Sequence, residues 1–200
     1  IESYAFKNCT NLAAVTLSAR LQTIEESSFY ACSALKELTI PDEVASIGDY
    51  AFRNCTGLQW VSFPDSLKTI GESAFYGDGG LTELSLPEAL EVVEAYAFKN
   101  CTSVTSIHLP ETMKTIKESA FYGCNSVKEL TIPANANTIG DYAFSRCSGL
   151  SAVRFMGDAP AIGDFSFSKV SANVYYPEDN TTWLPDVLQN YGGQLKWSAK

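Results

Sequence analysis

The chain has 200 residues, and 23 Asp and Glu against 14 Lys and Arg give it a formal net charge of −9 at pH 7. This negative charge and the lack of a Lys/Arg run disfavour nucleic acid as a partner, because the phosphate backbone would be repelled. No apolar stretch approaches the roughly 20 residues that a membrane-spanning helix needs, and no signal peptide precedes Ile1.

The chain begins inside a repeat. Residues 1–6 align with residues 47–52, so Ile1 already lies in the middle of a 23-residue unit. Phenylalanine occupies one position of every unit: Phe6, Phe29, Phe52, Phe75, Phe98, Phe121, Phe144 and Phe167. A fixed period of this size is typical of stacked-repeat proteins, in which each repeat contacts only its neighbours. An uncapped first rung would expose strand edges, which favours end-to-end association.

Each repeat contains a short apolar/polar alternation that ends at a proline, as in Leu35 to Pro41. Alternation predicts a strand with one buried face, and proline ends the strand because it cannot donate to a ladder. The strand recurs with the chain running in the same direction, so we expect parallel pairing, about 4.8 Å apart, in one continuous narrow sheet. Pairs such as Ser46–Ile47 predict a second short parallel ladder.

The half of each repeat around the phenylalanine is short and glycine-rich, which favours turns over α-helix. Six cysteines occupy one position there: Cys9, Cys32, Cys55, Cys101, Cys124 and Cys147. No Cys-x-x-Cys pair is present for zinc, and stacked side chains that point the same way do not face each other as a disulfide requires. We interpret them as buried free thiols, with occasional disulfides as the alternative.

Asp78 takes the place of cysteine in one repeat, within Tyr76 to Gly80. A buried carboxylate without a partner is costly, so we expect the loop to bulge and let Asp78 reach water or a backbone donor. The single Asp-Gly pair falls far short of a calcium-binding loop, which needs several oxygen ligands at set spacing. The sequence therefore predicts local strain at this rung and no metal site.

Cations and aromatic rings alternate at the position directly after the phenylalanine, with a double-length period of 46 residues. The column contains Lys7, Tyr30, Arg53, Tyr76, Lys99 and Tyr122. Because equivalent positions of neighbouring rungs lie side by side, this order predicts a cation–π ladder worth about 0.5–1 kcal/mol per exposed contact. The other interpretation is that these side chains only cover the edge of the core. In both cases we expect a structural role.

The repeat pattern changes after Phe167. Two residues are lost before Tyr176, and the apolar residues from Trp183 to Tyr191 follow a helical spacing. Residues 194–197 then predict a final strand. We interpret residues 173–200 as a C-terminal cap and residues 1–172 as about eight 23-residue repeats, the first of them truncated.

The pattern Ile-Gly-x-x-Ala-Phe-x-x-Cys-x-x-Leu-x-x-Ile-x-Leu-Pro resembles the BspA-like leucine-rich repeat over roughly residues 1–172. The resemblance implies a right-handed leucine-rich repeat solenoid. It would have short parallel β-strands on the concave face, an irregular or 3-10 convex side and very little α-helix except near the C-terminal cap. Members of that family are typically secreted or surface-attached bacterial proteins that bind host or matrix proteins, which implies an extracellular or cell-surface location.

In a solenoid, strand side chains that point away from the core form a continuous surface on which repeat proteins usually bind. Nine residues of two outward columns are the candidates: Glu37, Thr39, Trp60, Ser62, Glu83, Ser85, His108, Glu129 and Thr131. Trp60 is a candidate hot spot, and the glutamates favour a basic partner. The alternative interpretation is that Trp60 lies flat over its neighbours as an ordinary surface aromatic.

No phosphate-binding glycine loop, metal-ligand cluster or pair of catalytic carboxylates stands out, and strand neighbours of His108 offer no cleft for a catalytic triad. The sequence therefore indicates no cofactor and no enzyme. Our leading hypothesis is a non-catalytic binding or adhesion module for a protein ligand, such as a host or matrix protein, with a glycan as the other ligand class. The alternative is a structural spacer or scaffold within a longer multidomain surface protein.

Overall fold

The structure, a computed structural model, describes residues 1–200 and contains β-strands and turns but no helix. The longer strands lie on one side of the stack, which we call the strand face: β2 (Glu37–Thr39), β4 (Trp60–Ser62), β6 (Glu83–Ser85), β8 (Ser106–His108), β10 (Glu129–Ile132), β12 (Ala152–Phe155), β14 (Ser171–Tyr176) and β15 (Gln194–Ala199). Two-residue strands form the second ladder: β1 (Thr23–Ile24), β3 (Ser46–Ile47), β5 (Thr69–Ile70), β7 (Val92–Val93), β9 (Thr115–Ile116), β11 (Thr138–Ile139) and β13 (Ala161–Ile162). The parallel solenoid predicted from the 23-residue period is confirmed.

All strand pairs are parallel, and their register follows the period of the sequence. Leu38 pairs with Val61, and Leu84 pairs with Ile107, each 23 residues further along the chain. Between β12 and β14, where the chain lacks two residues, Val153 pairs with Val174 instead. The spacing of the repeat thus sets which residues become neighbours across rungs.

The strand face is not the one continuous sheet that the sequence predicted. Its strands form three hydrogen-bonded sheets, β2–β4, β6–β8 and β10–β12–β14–β15, and the second ladder divides into β1–β3–β5 and β7–β9–β11–β13. The rungs on either side of each interruption still follow each other in the stack, because their turns remain linked, for example by the Phe75 amide to the Ala97 carbonyl at 2.8 Å. The stack is continuous although its strand ladders are not.

A file of stacked phenylalanine rings runs along the core. The eight rings from Phe6 to Phe167 are separated by 5.0–5.6 Å between centroids, with interplanar angles of 18° or less. All except the half-buried Phe6 are fully buried, and they belong to a single apolar cluster of 49 residues. Burial of each ring contributes roughly 1.5–3 kcal/mol, so the file is a major source of stability.

The turns around each phenylalanine join neighbouring rungs through alternate backbone amides. The Tyr50 and Phe52 amides donate to carbonyls of the next rung at 2.9 and 2.8 Å, while the Cys55 amide donates back to the Phe52 carbonyl at 3.1 Å. This zigzag places Tyr50 and Asn54 in the left-handed region, at φ 58° and 63°. A left-handed residue cannot continue an α-helix, so the turn side, as we call it, contains turns only.

The helix favoured near the C-terminal cap is absent. Residues 183–191 form turns, in which the Val187 amide donates to the Leu184 carbonyl and not four residues back. Pro185 disfavours the helical conformation of the residue before it, and the turns end at Gly192. The apolar spacing instead reflects packing, because Trp183 is buried against Phe155, with ring centroids 4.8 Å apart.

Candidate functional site

The strand face carries all nine residues predicted as a binding surface. Eight of these side chains are exposed and Ser62 is half-buried. None of the nine side chains donates or accepts a hydrogen bond within the protein; the set comprises Glu37, Thr39, Trp60, Ser62, Glu83, Ser85, His108, Glu129 and Thr131. Their polar atoms are therefore free to contact a ligand.

The interruptions of the sheet divide these residues into three groups. On the first sheet, Glu37 is the strand partner of Trp60, and Trp60 is 46% exposed. On the second, Glu83 and Ser85 lie beside Ser106 and His108. The column that contains Trp60 thus has a glutamate on the rung before it and another on the rung after it, separated from it by a break in the ladder.

A cavity of about 550 Å³ lies between the first rung and β2. Glu37 and Thr39 line one side of it, and Val15 and Leu17 line the other. Elsewhere the predicted residues lie on open surface, which is suited to a large partner with a complementary face.

His108 is exposed, and its strand partner is Ser85. Neither side chain forms a hydrogen bond, and His108 forms no ion pair with a carboxylate. A catalytic triad requires a base held against its nucleophile by a third group, and the structure does not bring such groups together around His108.

The cysteine column lies inside the stack, and all six cysteines are free thiols, as the leading interpretation predicted. Five are buried, whereas Cys9 in the first rung is exposed. Buried thiols such as Cys124 donate to the phenylalanine carbonyl 26 residues earlier, here Phe98 at 3.3 Å. Burial raises the pKa of Cys147 to about 12, so its thiol stays protonated and is a poor nucleophile at neutral pH.

Asp78 occupies the cysteine position between Cys55 and Cys101, and the predicted bulge is wrong. The side chain is fully buried, and neither carboxylate oxygen has a hydrogen-bond partner. The backbone keeps the path of the cysteine rungs, since the Asp78 amide still donates to the Phe75 carbonyl at 3.4 Å. Burial raises the pKa of Asp78 well above its usual range, opposed only by the nearby backbone of Cys55.

The cation–π ladder predicted on the turn side is present with one gap. Arg53 lies 4.3 Å from the Tyr76 ring, and Lys99 lies 5.9 Å from Tyr76 and 4.5 Å from Tyr122. No such contact joins Tyr30 to Arg53.

The second tyrosine column adds hydrogen bonds to this side of the molecule. The Tyr96 hydroxyl donates to Glu118 Oε1 at 2.6 Å, and this bond raises the pKa of Tyr96 to about 12. Lys117 pairs with Glu94 at 2.6 Å nearby. The polar groups on the turn side are thus engaged with each other, which agrees with a structural role.

Sequence reasoning did not select a group of residues at the C-terminal end of the strand face. Arg154 and Tyr175 are strand partners, and with Met156, Tyr176 and Lys200 they line a cavity of about 360 Å³. The signal was available in part, because Arg154 interrupts a column of small hydroxyl residues and Met156 stands where five earlier repeats have proline.

The structure contains no group of three His, Cys, Asp or Glu residues arranged to hold a metal ion. It also has no helix with the length and hydrophobicity needed to cross a bilayer.

Solved structures of other leucine-rich repeat proteins are similar to this fold. A leucine-rich repeat protein from Bacteroides ovatus has a TM-score of 0.69 and 24% identity over 98% of this chain, which supports the fold alone. The T. pallidum leucine rich repeat protein has a TM-score of 0.69 and 29% identity over 74% of this chain and 69% of its own. A leucine rich cell surface protein from Faecalibacterium prausnitzii has a TM-score of 0.55 and 26% identity over 84% of this chain and 62% of its own.

This chain spans 57% of the length of the B. ovatus protein. No curated protein is significantly similar to this chain. The profile of the BspA type leucine rich repeat region matches residues 1–81 and 68–191, in six copies. Together with the stacked rungs and the column of stacked phenylalanine rings, this match shows that the chain belongs to the BspA-type leucine-rich repeat family.

Proposed function

We propose that this chain is a non-catalytic adhesion module, secreted or displayed on a cell surface, that binds a protein ligand on its strand face. The observation that carries the proposal is Trp60, a large aromatic side chain exposed in a column between Glu37 and Glu83. The F. prausnitzii relative is described as a cell surface protein, which supports the proposed location.

The strand face is favoured over the turn side because its polar groups are free. Tyr96, Glu118 and Lys117 on the turn side already bond to groups of the same chain. On the strand face, the Trp60 indole and the Glu37 and Glu83 carboxylates have no hydrogen-bond partner. A partner can therefore gain these contacts without breaking existing ones.

The glutamates indicate the chemistry of the partner. Glu37, Glu83 and Glu129 give this part of the strand face a negative potential, which favours a basic protein surface and speeds its association at low salt. Exposed aromatic side chains at the centre of an interface commonly contribute about 2 kcal/mol or more to binding. A glycan is the other ligand class, for which the Trp60 ring would be the stacking platform.

Binding to immobilised fibronectin, laminin and collagen, measured by biolayer interferometry at 50 and 300 mM NaCl, tests the proposal. We expect saturable binding that weakens with salt, and a loss of about 30-fold in the Trp60→Ala variant, as follows from about 2 kcal/mol. Adding Glu83→Lys to Trp60→Ala should weaken binding further than Trp60→Ala alone.

Tyr142→Ala also removes an exposed aromatic ring and Asp164→Lys also reverses an exposed acidic charge, both on the turn side, so these variants serve as controls. Unchanged binding by a Trp60→Ala, Glu83→Lys double variant would remove the strand face from consideration. Absence of binding to every matrix protein would contradict the adhesive role.

The second candidate is a spacer that positions another part of a longer surface protein. It is favoured by the continuous file of phenylalanines and the inter-rung hydrogen bonds, which make a stiff rod. This chain spans 57% of the B. ovatus protein, and that longer relative supports the spacer proposal. A spacer would tolerate both strand-face substitutions without loss of ligand binding by the longer protein.

A further inference from the structure

We propose that the C-terminal end of the strand face binds an acidic peptide segment that carries an apolar residue, and that Arg154, Tyr175 and Lys200 form the site. This site is separate from the one around Trp60 and has the opposite charge. Its occupant would be a second ligand, or a second region of one ligand, with carboxylates where the first site needs cations.

Tyr175 lies between two cations. The Arg154 guanidinium is 4.9 Å from the centre of its ring, and the Lys200 ammonium is 3.9 Å from it. The strand register holds the first pair, because β12 and β14 align Arg154 with Tyr175. The second is held by β15, whose Ser198 is the strand partner of Tyr175 two residues before Lys200.

Neither cation has an acidic partner. The two ion pairs of the molecule are Lys114–Glu91 and Lys117–Glu94, both remote in the chain from this site. Glu178 follows the site in sequence and is exposed, yet it pairs with neither cation. Glu178 is nevertheless close by, since its amide donates to the Lys200 carbonyl at 3.3 Å, but no Asp or Glu side chain lines the cavity. In a chain of net charge −9, a cavity lined by two exposed, unpaired cations is suited to a carboxylate ligand.

The same surface also has an exposed apolar side chain, Met156, above a layer of packed aromatic residues. Met156 is 55% exposed beside Tyr176 and Pro177 in a cavity of about 360 Å³. Beneath it, Phe155 packs against Trp183 and Trp197, with centroids 4.8 and 5.9 Å apart. A flexible thioether over a packed aromatic layer accommodates apolar side chains of varied shape, so the site should accept a peptide with an acidic residue next to a Leu or Phe.

Fluorescence polarisation with labelled dodecapeptides tests the proposal on the full chain. The acidic probe alternates Glu with Leu and Phe, and the control probe carries Lys in place of each Glu. We expect saturable binding of the acidic probe only, weakened at least tenfold in Arg154→Ser and in Lys200→Gln. Arg154→Ser restores the small hydroxyl typical of that column, so the fold should be retained, with the melting temperature as a check.

Lys68→Gln removes one charge at an exposed position elsewhere and should leave binding of the acidic probe unchanged. No saturable binding of the acidic probe, or an equal loss in the Lys68→Gln control, would overturn the proposal. So would two rival occupants: binding of a sulfated oligosaccharide without the peptide, or a dimer in sedimentation velocity that Arg154→Ser dissolves while the peptide does not bind. Trp60→Ala should not affect binding of the acidic probe. Failure of the proposal for the C-terminal site is therefore distinguishable from failure of the proposed binding site around Trp60.

Discussion

The rung that contains Asp78 and the rungs that contain cysteine follow the same backbone path but bury different chemistry. At Cys124 the buried thiol donates to the Phe98 carbonyl at 3.3 Å. At Asp78 both carboxylate oxygens are buried without a partner. Both strand ladders are interrupted beside the Asp78 rung, the strand face between β4 and β6 and the second ladder between β5 and β7. Where two cysteine rungs adjoin, only the strand face is interrupted, between β8 and β10.

The comparison shows that the stack, and not the individual side chain, decides the conformation of a rung. Amides of the Asp78 rung donate to the next rung as in every other repeat, for example from Gly77 to the Lys99 carbonyl at 2.8 Å. A bulge that exposed Asp78 would break such bonds on both sides. The rung therefore keeps its shape, and the carboxyl group stays in an unfavourable place.

The largest effect is expected when a regular rung is given the same defect. Cys124→Asp would place a carboxyl group in a position that is fully buried, beside Cys101 and Cys147. We expect the free energy of unfolding to fall by about 3–5 kcal/mol, as for a buried charge without a partner. Urea denaturation followed by circular dichroism measures it. Cys9→Asp, at an exposed position of the same column, is the control and should cost less than about 0.5 kcal/mol.

The reverse substitution should repair the unusual rung. Asp78→Cys replaces an unsatisfied carboxyl group with the thiol that the column normally contains, so the free energy of unfolding should rise by about 1–3 kcal/mol. A thermal melt at pH 7 checks this. Equal melting temperatures for the two proteins would show that Asp78 is not a defect.

The same variant has a pH signature that identifies the cause. Because burial raises the pKa of Asp78 in the folded chain, the folded state holds this proton more tightly than the unfolded state, where the pKa is about 3.9. The stability of the wild type relative to Asp78→Cys should therefore be greatest in acid. It should fall as the pH rises above about 4, by at most about 1.4 kcal/mol per pH unit. If instead the wild type became less stable relative to Asp78→Cys as the pH falls, the assigned cause would be contradicted.

The smallest effect is expected on the turn side, where the regular and unusual rungs share the cation–π ladder. Lys99 contacts the Tyr76 ring of the preceding rung, which contains Asp78, and the Tyr122 ring of the following rung. Lys99→Gln should lower the free energy of unfolding by about 0.5–1 kcal/mol, which corresponds to a shift of roughly 1–4 °C in melting temperature. Lys128→Gln, at an exposed position without a ring contact, should shift it less.

The regular part of the molecule could be predicted because the 23-residue period determines which residues are neighbours across adjacent rungs. Phe52 contacts Phe75, and Glu37 pairs with Trp60, because residues 23 apart occupy equivalent places in adjacent rungs. The second ladder at Ser46–Ile47 and the Lys99–Tyr122 contact follow from the same rule. The nine strand-face candidates were placed on one surface for this reason, although their ligand remains a proposal.

Prediction failed where local preference and stacking disagree. The spacing of Trp183 and Tyr191 favours a helix, but Trp183 donates its indole N–H to the Gly157 carbonyl at 3.1 Å and packs on Phe155. The pairing of Tyr175 with Arg154 is missed by the 23-residue count alone, and it follows only when the two residues lost after Phe167 are taken into account. These positions depend on long-range packing that no short window of sequence contains.

By itself, the sequence determined the parallel stack, its core columns and its outward surface, because a repeated pattern forces like residues to become neighbours. Only the tertiary structure decided that the strand face is divided into three sheets, that Asp78 stays buried, and that Arg154, Tyr175 and Lys200 meet. The physical reason is that the repeated pattern determines the conformation of a regular rung. Where the sequence departs from the period, the conformation depends on packing against the two neighbouring rungs.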